Sequence, residues 1–187
     1  ISATVGEDFA ALSETTFVLT AGETSTSINL SIVPDLIDEP AERFLIRYLD
    51  SEEVIFSNAT TVIEIQDNDP EPVVQFDRAL RPVAETVGFV ELDILLDRPS
   101  SSTIRVPITI DGTASVGGDY EIVEGVSDGD SVDFAAGSIS ETIVVRVISD
   151  PIPEGGETIR VSLGAPLFAV VGDIDTQTVL ISGNTAL

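Results

Sequence analysis

Residues 27–48 read SINLSIVPDLIDEPAERFLIRY and residues 141–163 read ETIVVRVISDPIPEGGETIRVSL. In each, an alternating apolar run enters a loop with carboxylates at positions i, i+4 and i+7, and a second alternating run leaves it. Those acids are Asp35, Glu39 and Glu42 in the first stretch and Asp150, Glu154 and Glu157 in the second. Alternation of period two places every second side chain on one face of a strand. Ile28, Leu30 and Ile32 share a face before the first loop, and Phe44, Ile46 and Tyr48 share one after it. Both stretches therefore predict strand, acidic loop, strand.

The duplication extends upstream. Ala3, Val5, Gly6, Asp8 and Phe9 are matched in spacing by Ala114, Val116, Gly117, Asp119 and Tyr120. Asp35 and Asp150 stand 115 positions apart and Asp8 and Asp119 stand 111 apart, so the copies differ by a short loop insertion. A repeat of this size is a domain rather than a solenoid unit. Aligning Ser2-Ala3 with Thr113-Ala114 leaves residues 71–112 without a counterpart at the start of the first copy. The sequence thus predicts a truncated module over 1–69, a stiff linker at Pro70-Glu71-Pro72 and a complete module over 73–187.

Strands are expected at 17–19, 27–33, 43–49 and 61–65 in the first module. In the second they are expected at 73–76, 88–96, 103–110, 132–134, 141–148, 158–163 and 177–181. Pro107 cannot donate to a ladder, which predicts an edge position for its strand. Nowhere do apolar residues recur at helical spacing over three turns, and no helix is available to carry a parallel crossover. The fold class is all-β: two immunoglobulin-like antiparallel β-sandwich modules in tandem, the first incomplete. A module short of strands exposes an edge, to be completed by chain preceding Ile1 or by strand swapping into a dimer.

Composition narrows the chemistry. The chain has no Cys and no His, and 33 acids oppose 8 basic residues for a net charge of -25. Disulfides, thiol nucleophiles, imidazole bases and ordinary zinc or copper sites are excluded, leaving oxygen ligands. Such acidity repels nucleic acid and anionic lipid and favours cations as partners. No stretch approaches the ~18 apolar residues of a membrane helix, so direct membrane insertion is not expected.

Asp35, Glu39 and Glu42 leave one strand and enter the next, and Asp8, Asp67 and Asp69 also fall at strand ends. Two carboxylates about 4 Å apart repel by roughly 4 kcal/mol at an effective dielectric near 20. Such a cluster splays, takes up protons or binds a cation, and Ca2+ accepts about 6–8 oxygens in flexible geometry where Mg2+ does not. Asp128-Gly129-Asp130 with Asp133 reads instead as a solvated hairpin loop, because the spacing of a helix-flanked calcium loop is missing.

Gly-x-Asp-aromatic, the Asp-x-x-x-Glu-x-x-Glu loop and the terminal Asp67-Asn68-Asp69 together resemble the Calx-beta domain of ion exchangers and large surface proteins. The resemblance implies Ca2+ held at one tip of the sandwich. Carried over by position, it implies Asp8, Asp35, the Ile37 carbonyl, Glu39, Glu42, Asp67 and Asp69 in the first module. In the second it implies Glu85, Asp119, Asp150, the Ile152 carbonyl, Glu154 and Glu157. The second module closes on Ser182-Gly183-Asn184 in place of terminal acids, which weakens its site.

The function expected is a non-catalytic, calcium-binding extracellular or cell-surface module that stiffens or orients neighbouring modules of an adhesin-like protein. The alternative is an adhesive domain binding a protein or glycan through calcium-ordered loops. A hydrolase with paired acids is disfavoured by the lack of His, Cys, Lys or a cleft signal. A sensor role inside an ion exchanger would require membrane segments, which this sequence does not contain.

Overall fold

The computed structural model describes all residues except 1, 14, 53, 154 and 184–187. Two compact units form, Ile1–Leu36 with Pro40–Asn68 and Ile37–Glu39 with Asp69–Leu187. The first holds β1 (Glu42–Arg47) and β2 (Thr60–Ile65), paired antiparallel. Phe44 is buried between them and Phe9, whose ring stacks on it at a centroid distance of 4.0 Å.

The second unit is a sandwich. Its strands are β3 (Val73–Phe76), β4 (Leu80–Ala84), β5 (Phe89–Leu96), β6 (Ile104–Gly112), β7 (Tyr120–Glu124), β8 (Ser131–Phe134), β9 (Ser140–Val147), β10 (Glu157–Leu163), β11 (Val170–Val171) and β12 (Thr176–Ser182). One sheet runs β4-β12-β10-β6-β8 and the other β11-β3-β5-β9-β7. The inward rows of alternating residues meet between them. Val90, Leu92, Ile94 and Leu96 from β5 pack with Ile104, Val106 and Ile108 from β6 and with Ile159 and Val161 from β10. Burying such rows from both sheets is the main source of stability.

All seven strands expected in this unit are present, and three more were not anticipated. β4 turns Arg81 and Val83 toward the interior and Leu80, Pro82 and Ala84 outward, which hides the apolar alternation. β7 carries a bulge between Ile122 and Glu124, and β11 spans two residues. β4 beside β12 and β11 beside β3 are parallel, contrary to the wholly antiparallel expectation. No crossover helix is needed, because these partners are distant in sequence and the chain passes from one sheet to the other between β3 and β4. At that crossing Asp77 accepts a hydrogen bond from the fully buried Gln177 at 3.2 Å and ion-pairs with Arg78 and Arg81.

Two further expectations are corrected. The strand holding Pro107 is not at an edge: β6 pairs with β8 up to Pro107 and with β10 from Ile108 onward. The missing N–H falls beyond the last β10 pair, where the Pro107 carbonyl still accepts the Gly164 N–H at 2.7 Å. In the first unit, residues 17–19 and 27–33 form no strands. Phe17, Val18 and Leu19 are exposed, and 27–33 makes a single bridge, Ile32 to Phe9. A strand needs a neighbouring backbone for its N–H and C=O groups, and within the described residues only the segment around Phe9 supplies one.

Gly112 ends β6 at φ +137°, with the space for a β-carbon 2.1 Å from the Thr158 carbonyl oxygen. Gly112→Ala is expected to destabilise the second unit by about 1–3 kcal/mol in urea unfolding. An unchanged midpoint would show that this approach carries no constraint.

Candidate metal site

The two copies fold their Gly-x-Asp segments by the same hydrogen bonds. Gly6 and Gly117 adopt φ of 95° and 81°, and their N–H groups reach the carbonyls of Phe9 and Tyr120, each at 2.8 Å. The carboxylate of Asp8 accepts the Thr4 N–H at 2.5 Å, and that of Asp119 accepts the Ser115 N–H at 2.6 Å. The backbone N–H of Asp8 returns to the Thr4 carbonyl at 3.0 Å, and that of Asp119 to the Ser115 carbonyl at 2.9 Å. The Arg43 carbonyl takes the N–H groups of Ser2 and Ala3, as the Thr158 carbonyl takes those of Thr113 and Ala114. The Asp side chain is thus fixed beside the strand that opens with Glu42 or Glu157.

Glu42 is the first residue of β1 and pairs with Ile65, and Glu157 is the first of β10 and pairs with Ile181. This register aims each Glu at the strand end where the Gly-x-Asp carboxylate lies. In the first copy the carboxylates of Asp8 and Glu42 lie against each other at that strand end. Glu42 Oε2 is buried with no hydrogen-bond partner. Burial raises the Glu42 carboxyl above its ordinary value, and its neighbours Asp8 and then Glu7 push the same way. An all-oxygen pair of facing carboxylates, one with an orphaned buried oxygen, fits a hard divalent cation. Asp35 and Asp67 are exposed, and Ile37, Glu39 and Asp69 are half-buried.

In the second copy Glu85, Asp119 and Glu157 line one small pocket together with Gly183. Glu85 is buried on a single 3-10 turn (Glu85–Val87), and its Oε1 accepts the Asp150 N–H at 2.9 Å. Asp150 Oδ1 in turn accepts the Ile152 N–H at 2.7 Å, while the Ile152 side chain is exposed. Asp119 is held below the ordinary carboxylate value, first by the Ser115 N–H and then by its hydroxyl at 2.7 Å. Glu154 lies outside the described residues.

Thr4 and Ser115 escaped sequence reasoning, although each stands four residues before the Asp that it orients, a local side-chain-to-backbone spacing open to inspection. The acids of the Asp128-Gly129-Asp130 loop share one counter-charge from within the module. Arg105 ion-pairs with Asp128 at 2.6 Å and lies 3.7 Å from both Asp130 and Asp133.

The family model of the Calx-beta domain matches residues 1–69 and again 67–184. Sodium/calcium exchanger 1 of Rattus norvegicus is 30% identical over 186 residues, covering 88% of this chain and 18% of the exchanger. Sodium/calcium exchanger 2 of the same organism is 27% identical over 184 residues, covering 88% and 19%. The chain therefore spans less than a fifth of the length of these relatives. Among solved structures, the apo-form Calx CBD1 domain covers 62% of this chain and all of its own, with 21% identity and a TM-score of 0.51. CBD12 from CALX1.2 covers 59% of this chain and 44% of its own, with 24% identity and a TM-score of 0.50, and both likenesses speak to the fold. The chain belongs to the Calx-beta family and carries two copies of that domain in tandem.

Proposed function

We propose that this chain is a non-catalytic calcium-binding tandem whose ion sits first among Asp8, Glu39 and Glu42. The observation that carries this reading is the buried Glu42 Oε2, without a hydrogen-bond donor, beside the Asp8 carboxylate. A bound calcium ion supplies positive charge and oxygen coordination at that point. The chain's own residues hold the site: Thr4 fixes Asp8, and β1–β2 pairing fixes Glu42. Asp35, the Ile37 carbonyl, Asp67 and Asp69 are the proposed remaining donors, and Glu85, Asp119, Asp150, the Ile152 carbonyl, Glu154 and Glu157 are those of the second copy. Neutralising Asp67 and Asp69 would stiffen the chain at Pro70-Glu71-Pro72, the linker at which we place the boundary between modules.

A surface or adhesin-like setting suits such a stiffening role. The exchanger relatives favour a second setting, an ion-responsive segment of a transporter; among the described residues no helix is long and apolar enough to cross a membrane. A glycan-binding role has less support, since Tyr120 is buried and Tyr48 is half-buried against Phe56.

Calorimetric titration of chelator-stripped protein is expected to show calcium binding that Glu42→Gln weakens. At a free-ion level 100 times the Kd, the wild-type first unit should gain about 2.7 kcal/mol, read as a higher Tm. No heat and no stabilisation up to millimolar calcium would refute the reading.

The raised Glu42 value gives a pH signature. Its stabilising contribution to calcium-free protein is complete below the ordinary value of 4.5 and is lost as the pH rises through the raised folded-state value. Thermal melts in chelator should therefore show the first unit weakening across that window, with the slope flattened in Glu42→Gln. Saturating calcium should reverse the slope, because the ion takes the deprotonated carboxylate. An identical slope in Glu42→Gln would assign the effect to other groups.

A further inference from the structure

We infer that the second unit holds a resident water molecule between Gln177 and Arg81, at the point where the chain passes from one sheet to the other. Gln177 is the polar member of the inward row of β12, beside Val179 and Ile181, and it is fully buried. It pairs with Val161, toward the end of β12 opposite the acidic tip. Its Nε2 donates to Asp77 Oδ1 at 3.2 Å, while its Oε1 is buried with no hydrogen-bond partner among the described residues. Turning the amide over would set Oε1 against the Asp77 carboxylate, acceptor against acceptor, and would orphan the Nε2 donor instead. Oε1 therefore calls for a donor from outside the chain.

The complementary group stands beside it. Arg81 is on the inward face of β4, and its Nη2 reaches Asp77 Oδ2 at 3.4 Å, so one carboxylate binds both side chains. Arg81 Nε is also buried without a partner. Each orphaned atom is bonded to the same carbon as a nitrogen that faces Asp77, which holds an unpaired acceptor and an unpaired donor beside that carboxylate. A ligand at this point must donate to Oε1 and accept from the Nε–H at once. Chloride and carboxylates only accept, whereas a metal or ammonium ion cannot accept an N–H and would face the guanidiniums of Arg78 and Arg81. A hydroxyl does both, and the full burial of Gln177 limits it to water. The second proton of that water has the Asp77 and Asp93 carboxylates for acceptors, since Arg81 Nη2 also lies 3.9 Å from Asp93 Oδ2. Asp93 is partly exposed and gives the water a path to solvent.

The bridge explains how a polar crossing survives at the margin of an apolar core. β3 leaves one sheet at Phe76 and β4 enters the other at Leu80. Through the water, Gln177 of β12, Asp77 of the crossing and Arg81 of β4 form one closed network. Leaving either orphaned atom unpaired in the interior would cost stability that the bridge recovers.

The test uses the full chain in chelator, with water itself as the probe. A high-resolution crystal structure should show an ordered water within about 3.2 Å of both Gln177 Oε1 and Arg81 Nε. In solution, the Arg81 Nε–H should show a nuclear Overhauser contact with long-lived water. Gln177→Met, which keeps the bulk and removes the acceptor, should lose that contact. Its oxygen-17 relaxation dispersion should fall by the contribution of one buried water. Cooperative melting shows whether the variant is folded; where it is not, the crystal structure and the Overhauser contact of the wild-type protein decide alone. The inference is overturned if Gln177 Oε1 accepts directly from the Arg81 Nε–H or from another group of the protein, or if no ordered water stands between them. It is overturned equally if folded Gln177→Met keeps the full dispersion. Failure of calcium binding would leave this water in place, because Gln177, Asp77 and Arg81 are not among the proposed calcium ligands.

Discussion

Like charges forced together at strand ends are the constraint on which the acidic tips depend. β1 cannot pair with β2 in its observed register without placing Glu42 opposite Ile65, at the end where the Gly-x-Asp turn delivers Asp8. The sheet thus fixes the carboxylates before any ion arrives. Repulsion that would splay free side chains is opposed by the backbone pairing of β1 with β2 along Glu42–Arg47. Burial first, and this repulsion after it, make the Glu42 carboxyl resist ionisation.

The turns that deliver Asp8 and Asp119 show why a short motif can hold its geometry in two contexts. A glycine at positive φ lets the chain reverse, and the Asp carboxylate then closes the loop on an N–H four residues back. The Asp is a structural part of its turn as well as a candidate ligand. An acid used in this way is oriented at little entropic cost, since its side chain is already held. The same logic applies to Asp150, which caps the Ile152 N–H within the acidic loop.

Much of the fold was legible because sandwich strands with one buried face must alternate. Residues 89–96 and 104–110 read directly as strands for that reason. What alternation cannot report is a partner. Residues 27–33 alternate as cleanly as β10, yet form one bridge, because pairing depends on a neighbour that the run itself does not encode. β4 was hidden for the opposite reason: its interior residue Arg81 is polar and is balanced by Asp77 and Asp93, a compensation drawn from elsewhere in the chain.

The acidic positions were legible from the repeat, whereas their chemical state was not. Asp8 and Asp119 look interchangeable in sequence, and so do Glu42 and Glu157, but their environments differ through residues outside the repeated motif. Ser115 offers a hydroxyl as well as an N–H to its Asp, and Glu85 brings a buried carboxylate from a strand-to-turn segment far away. Ligand spacing therefore specifies where carboxylates gather, but the balance between internal donors and unpaired oxygens decides how strongly a gathered set calls for a cation. That balance is a property of three-dimensional surroundings, and it can diverge between copies while the motif stays the same.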